Sequence, residues 1–574
     1  MNVTNNDWLK TVKSKLKMEG DRYLQESVSE ITFQTYRQFM KEGERQSFEA
    51  QYFLRRRRLT IFGLLLYLYP DERAYLEALE NEIWQICNEF TWCLPAHLDQ
   101  DLEEQSYETY KQTNQLCYTI DLFASETAFS LAEIVSLFEE QLDDFLVNKI
   151  KIEIDRRIFT PYLNTHFHWE TATHNWASVC AGSIGSAALY LLEGNEQKTI
   201  IDRVIVTMEY YLKGFEDDGA CQEGYGYWQY GFGYFIYFAD LLKKYQNIDL
   251  LDNPKVKRIA LFQQNSFLAL NHVMNFADAE PKAKPMIGFT HYLHQQFPKV
   301  HVPPHHLVAS DIVDPCGRWA PAIRELWWHD PTTHGDEWPE ISQLFDHTSI
   351  FLSRWKAKGE NFGFAVKAGH NNEPHNHNDI GQFILYGMDQ VFLRDLGSGQ
   401  YNKAYFGDGR YQFLCNSSEG HSVPVVNGYQ PAGQEYKGVF TKVEQHASYD
   451  QIEVDMTEAY QDQTLERFTR TYTSNKEHTS LVMKDFFQFS QEPDMLIESF
   501  IVADLPYYLK EGYILLTGNK GELELSYDNK KVGSTVRRRH FINHQGLKEY
   551  FLHILFELKQ PTKILDLEFA FVFK

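Results

Sequence analysis

The spacing of apolar residues changes character once along this chain, and that change limits the fold more than any other feature. From the N-terminus to about residue 330 apolar side chains recur at helical intervals, as in Thr127 to Ile158 and Ile200 to Phe215. This half therefore predicts roughly ten or more helices in succession. Short polar or proline-containing joints near Pro70, Pro95, Pro161 and Pro254 separate them. No fixed period repeats, which argues against a solenoid, whereas helical hairpins wound into a toroid satisfy the pattern. At Leu326 to Ser342 (LWWHDPTTHGDEWPEIS) the helical spacing stops. Beyond it come short alternating runs bounded by Gly, Asn and Asp, such as FGFAVKAG, RFTRTYT, TSLVMKDFFQF and ILDLEFAFVF. Such runs predict an antiparallel β-sandwich. The expected architecture is α+β and multidomain: a helical toroid over 1–335, then a β-sandwich over 336–574, with a ligand cleft between them.

Size agrees with more than one core and predicts two or three domains, since 574 residues exceed the roughly 250–300 that one core serves. The balance of 55 basic against 79 acidic side chains, −24 net, opposes a general nucleic-acid or anionic-membrane surface. Arg55 to Arg58, four in a row within FLRRRRLTIF, read as a helix surface rather than a targeting signal. The seven cysteines, among them Cys87, Cys93, Cys117, Cys180 and Cys415, form no CxxC pair and suit a reduced compartment. The first residues lack the apolar core of a secretory signal, and no run approaches the roughly 18 apolar residues that cross a membrane. A cytoplasmic location is the expectation. Aromatic residues make up 15% of the chain, which suits a carbohydrate cleft, although most of them belong to the core.

Three stretches carry chemistry. In EPHNHND, Glu373 to Asp379, His375 and His377 stand two apart ahead of GQFILYGMDQVFLRDLGSGQY, which reads as two strands joined by a hairpin at Gly387-Met388-Asp389. If the first strand begins directly after His377, both imidazoles project from one sheet edge. Two imidazoles on one face suit metal ligation or one ligand beside one acid/base group. Asp395 and His421 could fold back to complete a His-Asp-His set, although polar residues at a strand entrance explain the same letters. In HFHWETATHNWASVCAG, His174, Asn175 and Trp176 fall at a helix N-terminus, where free N–H groups favour a carboxylate. Capping by Asn175 and core packing by Trp176 is the structural alternative. In DDGACQEGYGYWQYGFGYF, Tyr225, Tyr227, Tyr230 and Tyr234 lie among glycines. A phenol with a pKa of about 10 is a general acid at neutral pH without adjustment. An aromatic helix start explains this stretch equally well.

Taken in this order, THNWASVCAG, DGACQEGYGYWQYG, HNHNDIGQFILYGMDQVFLRDLGSGQY and SSEGHSVPVVNG resemble the heparinase II/III-like polysaccharide lyases. The resemblance covers essentially the whole chain and implies an incomplete (α/α) toroid followed by an antiparallel β-sandwich. It implies that His375 is the catalytic histidine and that His377, Asp395 and His421 hold a structural zinc ion. It implies that Tyr227, in the EGxxY pattern opened by Glu223, is the catalytic tyrosine, with Tyr225 and Tyr230 close enough to take that place. Asn175, with His174 as a second candidate, would neutralise the uronate carboxylate. Trp176, Glu223, Tyr225, Tyr230, Arg410 and Tyr411 are the implied substrate contacts. The chain departs from the family pattern at His421-Ser422, where many members have His-Asn. The implied reaction is β-elimination on an anionic uronate oligosaccharide, glycosaminoglycan type before alginate type, leaving a 4,5-unsaturated uronate. Three alternatives stay open: a C5-epimerase, a glycoside hydrolase using Asp217, Asp218 and Glu223, and a sugar-binding scaffold without catalysis.

Overall fold

The computed structural model describes residues 7–27, 30–98 and 119–574, so Cys117 lies outside the described residues. Two units form. The first holds the chain up to Phe215 with Tyr227–Ala260 and Lys284–Asp336, and the second holds Glu216–Gly226, Leu261–Ala283 and Glu337–Lys574. Two segments of the helical half thus belong with the C-terminal strands.

The helices are α1 (Asp7–Tyr23), α2 (Phe33–Glu42), α3 (Gln46–Leu68), α4 (Arg73–Cys87), α5 (Leu122–Phe138), α6 (Asp144–Ile154), α7 (Thr160–Asn164), α8 (Asn175–Leu191), α9 (Gly194–Lys213), α10 (Tyr225–Gln246), α11 (Pro254–Ser266), α12 (Ile287–Gln296) and α13 (Trp319–Trp327). Their burial sorts them into two layers. Helix α5 buries 15 of its 17 residues and α8 buries 14 of 17, so both are enclosed nearly all round. Helix α9 buries only Ile200, Ile201, Val204, Thr207, Met208 and Tyr211, a single stripe at helical spacing. Because α8 packs against both α5 and α9, the enclosed helices form the inner layer and the amphipathic ones the outer layer of an (α/α) toroid. Asp121 and Asp143 start α5 and α6 by accepting hydrogen bonds from Ala124 N and Phe145 N, both at 2.8 Å.

The four consecutive arginines are not a helix surface. Arg55, Arg56 and Arg58 are buried. Helix α3 is enclosed by its neighbours, so each guanidinium meets a carboxylate from another segment. Arg55 and Arg56 share Glu89 at 3.2 and 2.6 Å, Arg57 donates to Glu19 at 2.7 Å, and Arg58 pairs with Glu82. Deeper still, Arg324 of α13 grips Glu133 of α5 through two nitrogens at 3.0 and 2.9 Å.

The second unit stacks two antiparallel nine-stranded sheets. One runs in the order β15 (Tyr507–Lys510), β16 (Tyr513–Thr517), β17 (Glu522–Tyr527), β20 (Ile564–Phe573), β13 (Ser480–Phe489), β12 (Leu465–Asn475), β11 (Tyr449–Asp455), β10 (Gly433–Gln445), β6 (Gly369–Asn371). The other runs β18 (Val532–Ile542), β19 (Lys548–Leu558), β14 (Leu496–Ala503), β8 (Gln390–Leu393), β7 (Phe383–Gly387), β5 (Glu360–Lys367), β4 (Ile350–Ala357), β3 (Ile341–Phe345), with β9 (Val425–Val426) beside β14. A small hairpin, β1 (Phe267–Ala269) and β2 (His272–Val273), belongs to the same unit.

Alternation decides the inner faces. Along β13 every second residue is buried, and its inward Leu481, Met483 and Phe487 join the core between the sheets. Phe383 of β7 and Phe500 of β14 lie 5.8 and 5.5 Å from Phe571 of β20, so aromatic rings bridge the layers. One buried charge set crosses this core. Arg470 donates to Asp485 at 2.6 Å and to Glu498 at 2.9 Å, and its other nitrogen reaches the Ser422 carbonyl at 2.8 Å. That last bond ties the loop bearing His421 to the sandwich interior.

Candidate active site and metal centre

Two glycines allow the second unit's site to close. Gly224 and Gly397 have φ of +90° and +66°, the region where a side chain is strained. A Cβ on Gly224 would stand 2.6 Å from Ala279 Cβ, and one on Gly397 would stand 2.6 Å from the Ala279 carbonyl. The segment around Asp278 is therefore drawn against both Glu223 and the Asp395 turn. Asn275 adds a bond to the Asp395 carbonyl at 3.3 Å.

Asp278 becomes the hub. Its Oδ2 accepts from His375 Nδ1 at 2.7 Å and from Arg410 Nη2 at 3.0 Å. Its Oδ1 accepts from His377 Nε2 at 3.0 Å and from the Tyr405 hydroxyl at 2.5 Å. On its far side, His375 Nε2 lies 3.2 Å from Glu223 Oε2. Asp278 and His377 side chains are sealed from solvent, whereas the His375 side chain is 21% exposed. His375 is thus the imidazole of this pair that a ligand can reach.

The strand expected directly after His377 begins six residues later, at Phe383. His375 sits in a turn with φ of +54°, so the two imidazoles converge through Asp278 and not through strand alternation. The hairpin that follows has positive φ at Met388 and Asp389, as a type I′ turn requires. Arg410 donates to the Asn376 carbonyl at 3.0 Å, and Asn376 Nδ2 donates to the Tyr411 hydroxyl at 3.1 Å. Both expected substrate contacts on that loop thereby brace the histidine turn.

The electrostatics follow from burial against pairing. Burial opposes the ionised form of Asp278, but the bonds from His375 and His377 outweigh it and hold the carboxyl well below its ordinary value. Burial likewise opposes charge on His375, yet the Asp278 bond and the nearby Glu223 carboxylate keep its pKa above the ordinary histidine value. Glu223 is pushed up by burial, against the pull of His375. His377 is pushed down by burial in spite of Asp278.

Deeper in the same unit, His377, Asp395 and His421 place ligand atoms within 4.8 Å of one another, all fully enclosed. Their donor pattern fits a cation. His377 Nε2 is spent on Asp278, which leaves Nδ1 buried and without a hydrogen-bond partner. His421 Nε2 donates to the Cys415 carbonyl at 3.0 Å and Nδ1 donates to Asp395 Oδ2 at 3.2 Å, so a cation that replaced the Nδ1 proton would meet that nitrogen's lone pair and the carboxylate together. Two imidazole lone pairs beside a carboxylate make a ligand set for a borderline-soft metal. Gln382 at 3.1 Å and Gly397 N at 2.8 Å hold the Asp395 oxygens in place.

The remaining expected residues fall elsewhere. Tyr225 belongs to the second unit, where it is buried edge-on to Phe267 at 5.0 Å. In the first unit His174, not Asn175, is the cap of α8, its Nδ1 accepting from Trp176 N at 3.4 Å. Asn175 follows as the first helical residue, buried against Gly231 of α10, where an added Cβ would lie 3.1 Å from its own. Trp176 packs on His97 at 5.0 Å. Tyr227 is half-buried on the first turn of α10. Tyr230 lies under the Arg318 guanidinium at 4.1 Å, and Arg318 pairs with Glu126 at 2.9 Å. Of the carboxylates a hydrolase could use, Asp218 accepts from Thr348 N at 2.8 Å and from Ala220 N at 3.0 Å. Asp278, Tyr405 and Arg318 escaped the sequence reading. Nothing around FADAEP marks Asp278 as a site residue, and only its partners in space do so.

No family model and no curated protein matches the chain at the sequence level. Solved structures do. A heparinase III, the BT4657 gene product, is similar over 99% of this chain and 91% of its own, with a TM-score of 0.66 and 12% identity. A second structure titled heparinase III matches over 100% and 92%, with a TM-score of 0.62 and 12% identity. The heparan sulfate lyase HepC from Pedobacter heparinus matches over 98% and 88%, with a TM-score of 0.61 and 14% identity. Among the described residues no helix is long and apolar enough to cross a membrane. The chain therefore has the heparinase III type of fold, a helical toroid followed by an antiparallel β-sandwich.

Proposed function

We propose that the protein is a polysaccharide lyase that cleaves uronate-containing oligosaccharides, of glycosaminoglycan type, by β-elimination. The observation that carries this reading is His375: a solvent-reachable imidazole held between the carboxylates of Asp278 and Glu223, in a fold shared with heparinase III. Elimination needs a base to take the C5 proton beside a carboxylate, a group to protonate the departing O4, and something to offset the charge that grows on the uronate. His375 Nε2 takes the C5 proton, and Asp278 steadies the resulting imidazolium through Nδ1. A raised pKa makes His375 a stronger base once it is neutral. Glu223, whose own pKa is pushed up, is placed to receive that proton afterwards.

The resemblance supplies the other roles: Tyr227 as the acid toward O4, and Asn175 with His174 as the groups that offset the carboxylate. His377, Asp395 and His421 would hold zinc, which supplies charge and rigidity beneath the histidine turn when bound, as closed structural sites do. The test is ultraviolet absorbance of an unsaturated uronate after incubation with hyaluronan, chondroitin sulfate, heparan sulfate and alginate oligosaccharides. A rise that His375→Ala and Tyr227→Phe both abolish is expected. New reducing ends without absorbance would replace elimination by hydrolysis, and solvent deuterium entering uncleaved uronate would replace it by epimerisation.

A further inference from the structure

We infer that Asp278 is a positioning residue that selects the reacting nitrogen of His375 and the ligating nitrogen of His377 at once, coupling the proton-transfer imidazole to the metal site through one carboxylate. The inference deepens the lyase reading and rests on it for the role of His375.

A carboxylate offers about four acceptor positions and no donor. All four on Asp278 are filled: His375 Nδ1 and Arg410 on Oδ2, His377 Nε2 and Tyr405 on Oδ1. A neutral imidazole carries one N–H. Donation from Nδ1 therefore leaves a neutral His375 with its lone pair on Nε2, the nitrogen that faces Glu223. Donation from Nε2 leaves His377 with its lone pair on Nδ1, the buried nitrogen without a hydrogen-bond partner among the metal-type ligands. The two rings need opposite tautomers, and a single acceptor placed between them enforces both. Arg410 and Tyr405 keep that acceptor from turning, since each holds a different oxygen. A change at either imidazole then alters the bond made by the other. This is how an outer carboxylate orients metal-bound histidines, with one of its partners here being the catalytic base instead of a second ligand.

Asp278→Asn tests it. The amide keeps the shape but has one accepting oxygen, so one imidazole loses its anchor. Zinc affinity, measured by competition with a chromophoric chelator, is expected to fall roughly 10- to 100-fold. In 15N spectra of histidine-labelled protein, at least one of the His375 Nδ1–H and His377 Nε2–H signals is expected to disappear. Turnover is expected to lose roughly 10²- to 10⁴-fold in kcat with KM little changed. A measurement on the unaltered protein guards against misfolding of the variant: removing zinc by chelation should shift the His375 ring nitrogens, although His375 is not a ligand. Unchanged zinc affinity in Asp278→Asn, or His375 nitrogens that ignore zinc removal, would overturn the coupling. Neither readout needs turnover. Failure of the wild type to eliminate from any uronate would sink the lyase reading and leave these two results to decide on Asp278 alone.

Discussion

Glu325 of α13 gives a prediction whose size follows from its surroundings. Glu325 is 1% exposed, and its Oε1 accepts from Phe289 N at 2.9 Å at the start of α12. Its Oε2 is buried without a partner. Burial pushes its pKa from 4.5 up to about 7, against the helix N–H groups that favour the anion. For an acid with a raised folded-state pKa the sign is set: the unfolded chain ionises first as pH climbs. Stability is unaffected below 4.5, falls by about 1.4 kcal/mol per pH unit between 4.5 and about 7, and is level above that. The accumulated cost is about 3 kcal/mol. Glu325→Gln removes this dependence while keeping the acceptor for Phe289 N. The amide introduces a buried N–H worth about 1–3 kcal/mol against it, the same at every pH. The variant is therefore expected to gain about 3 kcal/mol relative to wild type between pH 4.5 and pH 8, whatever its fixed offset. Urea unfolding of both proteins at pH 4.5, 6 and 8, followed by tryptophan fluorescence, reads this difference. A wild-type-to-variant gap that stays constant across the three pH values would refute the reasoning.

Other outcomes are expected from the same kind of argument. Arg470→Met leaves Asp485 and Glu498 buried without their shared cation, so the sandwich should lose about 3–5 kcal/mol in denaturant unfolding. His377→Ala should lose bound metal and thermal stability together, read by elemental analysis and calorimetry on one sample. A metal-free variant melting at the wild-type temperature would contradict the structural role of the site. Tyr227→Phe should lower kcat for elimination by roughly 10²-fold or more and leave the melting temperature in place. Gly231→Ala puts a methyl 2.8 Å from the Tyr211 hydroxyl and 3.1 Å from Asn175 Cβ, so it should depress turnover by displacing Asn175.

Much of this was legible before the fold was known. The change in apolar spacing near residue 330 separates a helical half from a strand half because the two backbones repeat at different intervals. Local chemistry placed the hairpin turn at Gly387-Met388-Asp389, and the family resemblance grouped His377 with Asp395 and His421. What escaped depended on distance in space. The arginines of α3 look like a solvated charge run by their letters, and only enclosure by neighbouring segments turns them into buried ion pairs. His375 and His377 looked like two residues on one strand face, yet a left-handed turn at His375 brings them together through an aspartate almost a hundred positions earlier.

The sequence by itself determined which segments coil and which extend, where the architecture changes, and which side chains are able to bind a metal or move a proton. These follow from periodicity and residue chemistry, which are local. The tertiary structure alone decided that Asp278 is the hub, that His375 is the reachable imidazole, and that Glu223 faces it. Those facts depend on two glycines letting separate backbones approach, and no pattern along the chain records what a close approach will bring into contact.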